Sequence, residues 1–73
     1  MPKLYSSREI EKVLKQLGFR FIIQKGSHGK FKNDKGKIAI LPMAKKEIPI
    51  GTFYCILKQM DISNEEFSRR LKL

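Results

Sequence analysis

Cysteine and histidine are nearly missing from this chain: Cys55 and His28 each stand alone. A lone cysteine excludes an internal disulfide, and one cysteine with one histidine cannot build a zinc site. Acids are also scarce, 7 against 16 basic residues. No spaced pair of carboxylates falls in the central region where a metal would sit, so neither a metal nor another cofactor is expected. The acid there, Asp34, reads as a turn former. No apolar run approaches the roughly 18 residues that a membrane span needs. The N-terminus lacks the charged, apolar and cleavage-site order of a secretory signal. With a free thiol suited to a reducing compartment, these absences lead to the expectation of a soluble, cytoplasmic protein.

What is abundant is positive charge. The net charge of +9 on 73 residues opposes compaction and attracts polyanions over long range. Nucleic acid is the leading partner class. An acidic protein is compatible too. A membrane-lying helix is not, because such a helix gathers its basic residues on one face and here they spread along the whole chain. A chain this short buries roughly 60% of its unfolded surface, enough for one layer of helices on one small sheet.

The pattern changes character every ten residues or so. Ser6 and Glu9 have the spacing of a capping box, and Ile10, Val13, Leu14 and Leu17 form one helical stripe. Gly18 supplies a left-handed stop. "FRFIIQK" (19–25) alternates as a strand, with Phe19, Phe21 and Ile23 on one face and Arg20, Ile22 and Gln24 on the other. "GSHG" interrupts it. "KFKN" is a second strand with Phe31 inward and Lys30 and Lys32 outward. "NDKG" is a hairpin turn using Gly36, and "KIAIL" a third strand that Pro42 ends. "MAKKEI" reads as a polar loop. Pro49 suits the first position of a second helix, with Ile50, Phe53, Ile56, Leu57 and Met60 as its stripe. Ser63 and Glu66 repeat the capping-box spacing and open a last helix with Phe67 and Leu71 inside. The expected fold is α+β in the order α-β-β-β-α-α, a three-stranded antiparallel meander with helices on one face. That is the layout of double-stranded-RNA-binding domains, and element order alone assigns no function.

The chemistry centres on "QKGSHGKFK". An imidazole can give or take a proton near neutral pH. Gly26 and Gly29 flank His28 without side chains and would let a substrate backbone approach. Lys25, Lys30 and Lys32 can hold phosphates and stabilise charge on a phosphoryl oxygen. Ser27 suits a hydrogen bond to the turn or to a phosphate. Together these fit cleavage of an RNA backbone without metal. A base takes the 2′-OH proton and the oxygen attacks the adjacent phosphorus. A lone histidine in a glycine turn is equally an ordinary exposed polar residue, and the residues alone leave both readings open. Cys55 reads as a half-buried structural thiol. Phe19, Phe21 and Phe31 read as core, and Tyr5 and Tyr54 as candidate surface contacts.

"SSREIEKVLKQLGFRFIIQKGSHGKF" followed by "IAILPMAKKEIPIGTFYCILKQMDISNEEF" resembles the HicA family of toxin–antitoxin systems, over about Ser6 to Phe67. Its most specific part is "LGFRFIIQKGSHGKF". The resemblance implies one HicA-like domain over 1–73, with a fold like that of double-stranded-RNA-binding domains. It implies a small ribosome-independent ribonuclease that cuts single-stranded messenger RNA, with His28 as its catalytic residue. It further implies a HicB-type antitoxin, commonly acidic, whose partial RNase-H-like domain covers the His28 face. The toxin would be a monomer when free and part of a hetero-oligomer with that antitoxin. One departure stands out. Many relatives carry a second histidine after the third strand, where this chain reads Pro42-Met43-Ala44-Lys45. Lys25, Lys30, Lys45 or solvent would then have to assist the leaving 5′-oxygen. Gly29 and Lys30 also stand where bulkier residues or a second histidine are frequent in relatives, so a more mobile loop at His28 and a lower activity are expected. The alternatives are a small RNA-binding domain without chemistry, and a decayed toxin that only binds its antitoxin.

Overall fold

A computed structural model describes residues 3–73, in the order α1 (Ser7–Gln16), β1 (Arg20–Lys25), β2 (His28–Lys32), β3 (Ile38–Pro42), α2 (Ile50–Met60) and α3 (Asn64–Leu71). The capping box at α1 is complete. Ser6 Oγ accepts from Glu9 N–H at 3.1 Å, and the Ser6 N–H donates to Glu9 Oε1 at 2.9 Å. The helix ends in a Schellman turn. Gly18 adopts φ +86°, its N–H reaches the Lys15 carbonyl, and the Phe19 N–H reaches that of Leu14. This turn drops Phe19 into the core and launches β1 one residue later than the alternation suggests.

The sheet is antiparallel in the order β1-β2-β3, and the helices pack chiefly on β3. Phe31, Ala39 and Leu41 point into that layer and are fully buried. They meet the α1 stripe of Ile10, Val13 and Leu14 and the α2 stripe of Phe53, Ile56, Leu57 and Met60. Each buried large apolar side chain contributes about 1.5–3 kcal/mol. A cluster of rings closes the helical side. Tyr5 lies 5.1 Å from Phe53 and 4.8 Å from Phe67, centroid to centroid, and Phe53 lies 4.9 Å from Phe67.

Several expectations need correction. Ile48, assigned above to a polar loop, is fully buried, and its N–H binds the Tyr5 carbonyl at 2.8 Å. Pro49 is the N-cap of α2 and not its first helical residue. The second capping box is half made: Ser63 Oγ accepts from Glu66 N–H, while the Glu66 carboxylate turns to Arg70 Nε at 2.8 Å. Cys55 is exposed, and Tyr5 is a packing residue. In the 33–37 turn the side chain that organises the backbone belongs to Asn33, which accepts from the N–H groups of Lys35 and Lys37. Asp34 instead pairs with Arg20 at 3.1 Å. No described helix is long and apolar enough to cross a membrane.

Candidate active site

The loop around His28 is shorter than its glycines suggest. Lys25 pairs directly with His28, so the hairpin turn is Gly26-Ser27 alone. Gly26 takes φ +58°, and a glycine at the first central position is what a type II′ hairpin requires. A Cβ there would meet open space, so backbone conformation and not crowding demands the glycine. His28 is therefore the first residue of β2, held by strand pairing on both sides, with Lys25 on β1 and Pro42 on β3. The expected mobile loop is a strand end.

A bulge decides which side chains join His28. Phe21 pairs with Phe31 and Ile23 with Lys30, leaving Ile22 without a partner. An extra residue reverses the alternation beyond it. The sequence alternation placed Ile23 with Phe21; the bulge moves Ile23 and Lys25 to the opposite face. Directly paired residues share a face, so the outward surface of the sheet is a grid of three rows. The first holds Lys25, His28 and Pro42, the second Ile23, Lys30 and Ile40, and the third Arg20, Lys32 and Ile38. No described helix covers this face. Without the bulge Lys25 would point to the helical side.

The structure gathers some of the expected residues and separates others. His28, Lys25 and Lys30 line one depression of about 380 Å³ together with Ile23 and Ile40. Lys32 lies on the same face, one row beyond. Ser27 sits in the turn with its Oγ 3.4 Å from His28 Nδ1, so the two side chains meet. Among the described residues Nε2 has no hydrogen-bond partner and is open to a ligand. Gly29 belongs elsewhere. It is buried on the helical side, where a Cβ would come within 2.9 Å of Met43 Sδ and 3.4 Å of Phe21 Cε1. Its missing side chain makes room for Met43 and gives no access to a substrate. Lys45 is exposed and lies outside the depression. Among the described residues no three His, Cys, Asp or Glu side chains are grouped to hold a metal ion.

Sequence reasoning missed Ser7. It is the one buried polar residue among those described. Its hydroxyl donates to the Pro42 carbonyl and accepts from the Lys45 N–H, while its own N–H donates to the Lys45 carbonyl at 2.9 Å. This clamp holds residues 42–45, including Ala44 at φ +59°, against the start of α1. The Met43 N–H in turn donates to the Ser27 carbonyl at 2.7 Å. A continuous line of bonds thus runs from α1 to the turn beside His28. The adjacency of two serines at the helix start was the available signal, since only one of them can serve as the cap.

The result is a small α+β domain with the layout of double-stranded-RNA-binding domains and one basic sheet face that carries a single histidine. A family profile described as HicA toxin of bacterial toxin-antitoxin matches residues 7–62. That is well over half of the 73 residues, and the chain belongs to this family. A search of curated proteins finds no match. The matched region runs from α1 through the exit of α2 and contains the whole histidine face. Membership makes the chain a toxin of a toxin–antitoxin system and implies an antitoxin partner.

Proposed function

We propose that this toxin is a ribonuclease that cuts single-stranded messenger RNA, with His28 as general base and residues 1–73 as one catalytic domain. The observation that carries the reading is the row formed by Lys25, His28 and Pro42, with Lys30 in the next row and all three polar side chains in one depression. His28 Nε2 takes the proton of a ribose 2′-OH. The 2′-oxygen bonds to the adjacent phosphorus and the bond from phosphorus to the 5′-oxygen breaks. Lys25 and Lys30 stabilise the charge on the phosphoryl oxygens. The proton for the leaving 5′-oxygen comes from a lysine or from water, because Ala44 stands where many relatives have a second histidine. Ser27 Oγ, beside Nδ1, helps to orient the ring. The reaction needs no metal or other cofactor in this scheme, since base and cations are both supplied by side chains.

The same face is the one a HicB-type antitoxin would cover, forming a hetero-oligomer from a toxin that is monomeric when free. An acidic antitoxin complements the net charge of +9, and covering the grid excludes RNA from His28. Cytoplasmic messenger RNA is then the target once the antitoxin is lost.

The test is incubation of the purified protein with single-stranded RNA in excess chelator. Cleavage should yield 2′,3′-cyclic phosphate and 5′-hydroxyl ends, and an all-deoxy strand of the same sequence should stay intact. RNA that is shifted but whole after hours supports a binding domain without chemistry. Neither binding nor cutting, with tight antitoxin binding, supports a decayed toxin.

A further inference from the structure

The histidine face carries more than a base and cations. Ile23 and Ile40 flank Lys30 across the second row of the grid. They stand 46% and 37% exposed, and both line the depression that contains His28. Burial of this kind of side chain is favourable, yet the fold leaves both open. Proton transfer and phosphate binding need neither of them. Lys30 follows His28 by two residues along β2, and Ile23 and Ile40 pair with Lys30, so each isoleucine is a diagonal neighbour of His28, roughly 7–8 Å away.

We propose that Ile23 and Ile40, with the aliphatic stem of Lys30 between them, form a nucleobase subsite. It takes the unstacked base of the nucleotide whose 2′-OH faces His28. The proposal rests on the ribonuclease reading and adds to it a contact with the base. Bases present flat apolar faces that bind apolar platforms with little regard to sequence, and this platform is aliphatic in place of aromatic. Charge favours a nucleotide as the occupant. Anything laid on both isoleucines also covers the Lys30 ammonium between them and must offer it an anion. A nucleotide brings its phosphate with its base. The subsite fixes which ribose stands at His28, and its side walls offer no hydrogen-bonding groups, so it binds any base with modest preference.

The experiment uses the full chain with His28→Ala, which binds without cutting. Affinities are measured by fluorescence anisotropy over a salt series, for a single-stranded hexauridylate and for a hexamer of abasic phosphate spacers of equal charge. The change to test is Ile23→Thr with Ile40→Thr, which keeps β-branched side chains on the strands. Circular dichroism checks that the fold is retained, and Ile40→Thr alone serves if the pair unfolds. Loss of the bases should weaken binding about tenfold, at the low end for stacking contacts. The threonine pair should lower hexauridylate affinity to the abasic level, leave the abasic affinity unchanged, and leave the salt slope unchanged. Lys30→Ala should instead lower that slope by about 0.7, the value for one phosphate contact on a single strand.

An undiminished preference for bases in the threonine variant overturns the subsite, as does equal affinity of the His28→Ala protein for the two hexamers. Loss of antitoxin binding with base preference intact also overturns it and makes the face a protein-docking surface. Cleavage by the His28-bearing protein is scored separately. Failure there removes the ribonuclease reading, whereas failure of base preference alone removes only the subsite.

Discussion

Phe67 on α3 is fully buried and Ile22 on β1 is 52% exposed, although both are large apolar residues. The two mark different halves of the molecule. Around β3 and the three helices, apolar side chains interlock, and the rings of Tyr5, Phe53 and Phe67 close the layer. Along β1 every position is exposed, including Phe21, Ile22 and Ile23 in a row. The first half holds the fold. The second, with β2, carries His28 and its neighbouring lysines on the open face of the sheet. Clustered exposed apolar groups mark surface suited to binding, and Ile23, Ile38 and Ile40 stand on the face that carries His28.

The comparison can be broken by substitution. Phe53→Ala or Phe67→Ala should cost about 3–5 kcal/mol, a large share of the roughly 5–10 kcal/mol that such a domain possesses. Ile22→Ala should change stability by less than about 0.5 kcal/mol. Denaturant titration of all three reads the contrast, and an equal loss at Ile22 would erase it. Ser7→Ala comes next. It leaves the Lys45 N–H without its partner inside the structure, at about 1–3 kcal/mol. Because the Ser7 clamp also sets the segment bonded to Ser27, RNA cutting should fall at temperatures where the variant is still folded.

Gly29→Ala tests the boundary between the halves. Its Cβ would come within 2.9 Å of Met43 Sδ, and the flexible methionine can yield, so about 1 kcal/mol is expected. A Gly29→Ala protein with unchanged melting and abolished RNA binding would return Gly29 to the substrate side. The smallest stability effect belongs to Lys30→Ala, within about 0.5 kcal/mol. Its signature is a weaker salt dependence of RNA binding.

Much of the helical half was legible in the sequence, because capping residues, stripes and a terminal glycine act locally. Ser6 with Glu9, Gly18, and the stripes of α1 and α2 all lie where spacing put them. The histidine face was legible only in part. Lys30 and Lys32 follow from simple alternation. Lys25 does not, because the bulge at Ile22 reverses the alternation and no residue type announces it. Gly29 was misassigned because a glycine beside a histidine suggests access, whereas its reason lies across the sheet in Met43. For Ser7 the doubled serine was a signal of a second role, but not of the clamp itself, whose partners are backbone groups far along the chain, Pro42 and Lys45.

In the proposed function the exposed face performs the chemistry and the buried half holds it in place. His28→Ala tests this most directly, with cleavage rate and melting temperature taken on the same preparation. RNA cutting should fall at least about a hundredfold, as for loss of a general base, with the melting temperature unchanged. A His28→Ala protein that cuts RNA within a few-fold of the parent would contradict it.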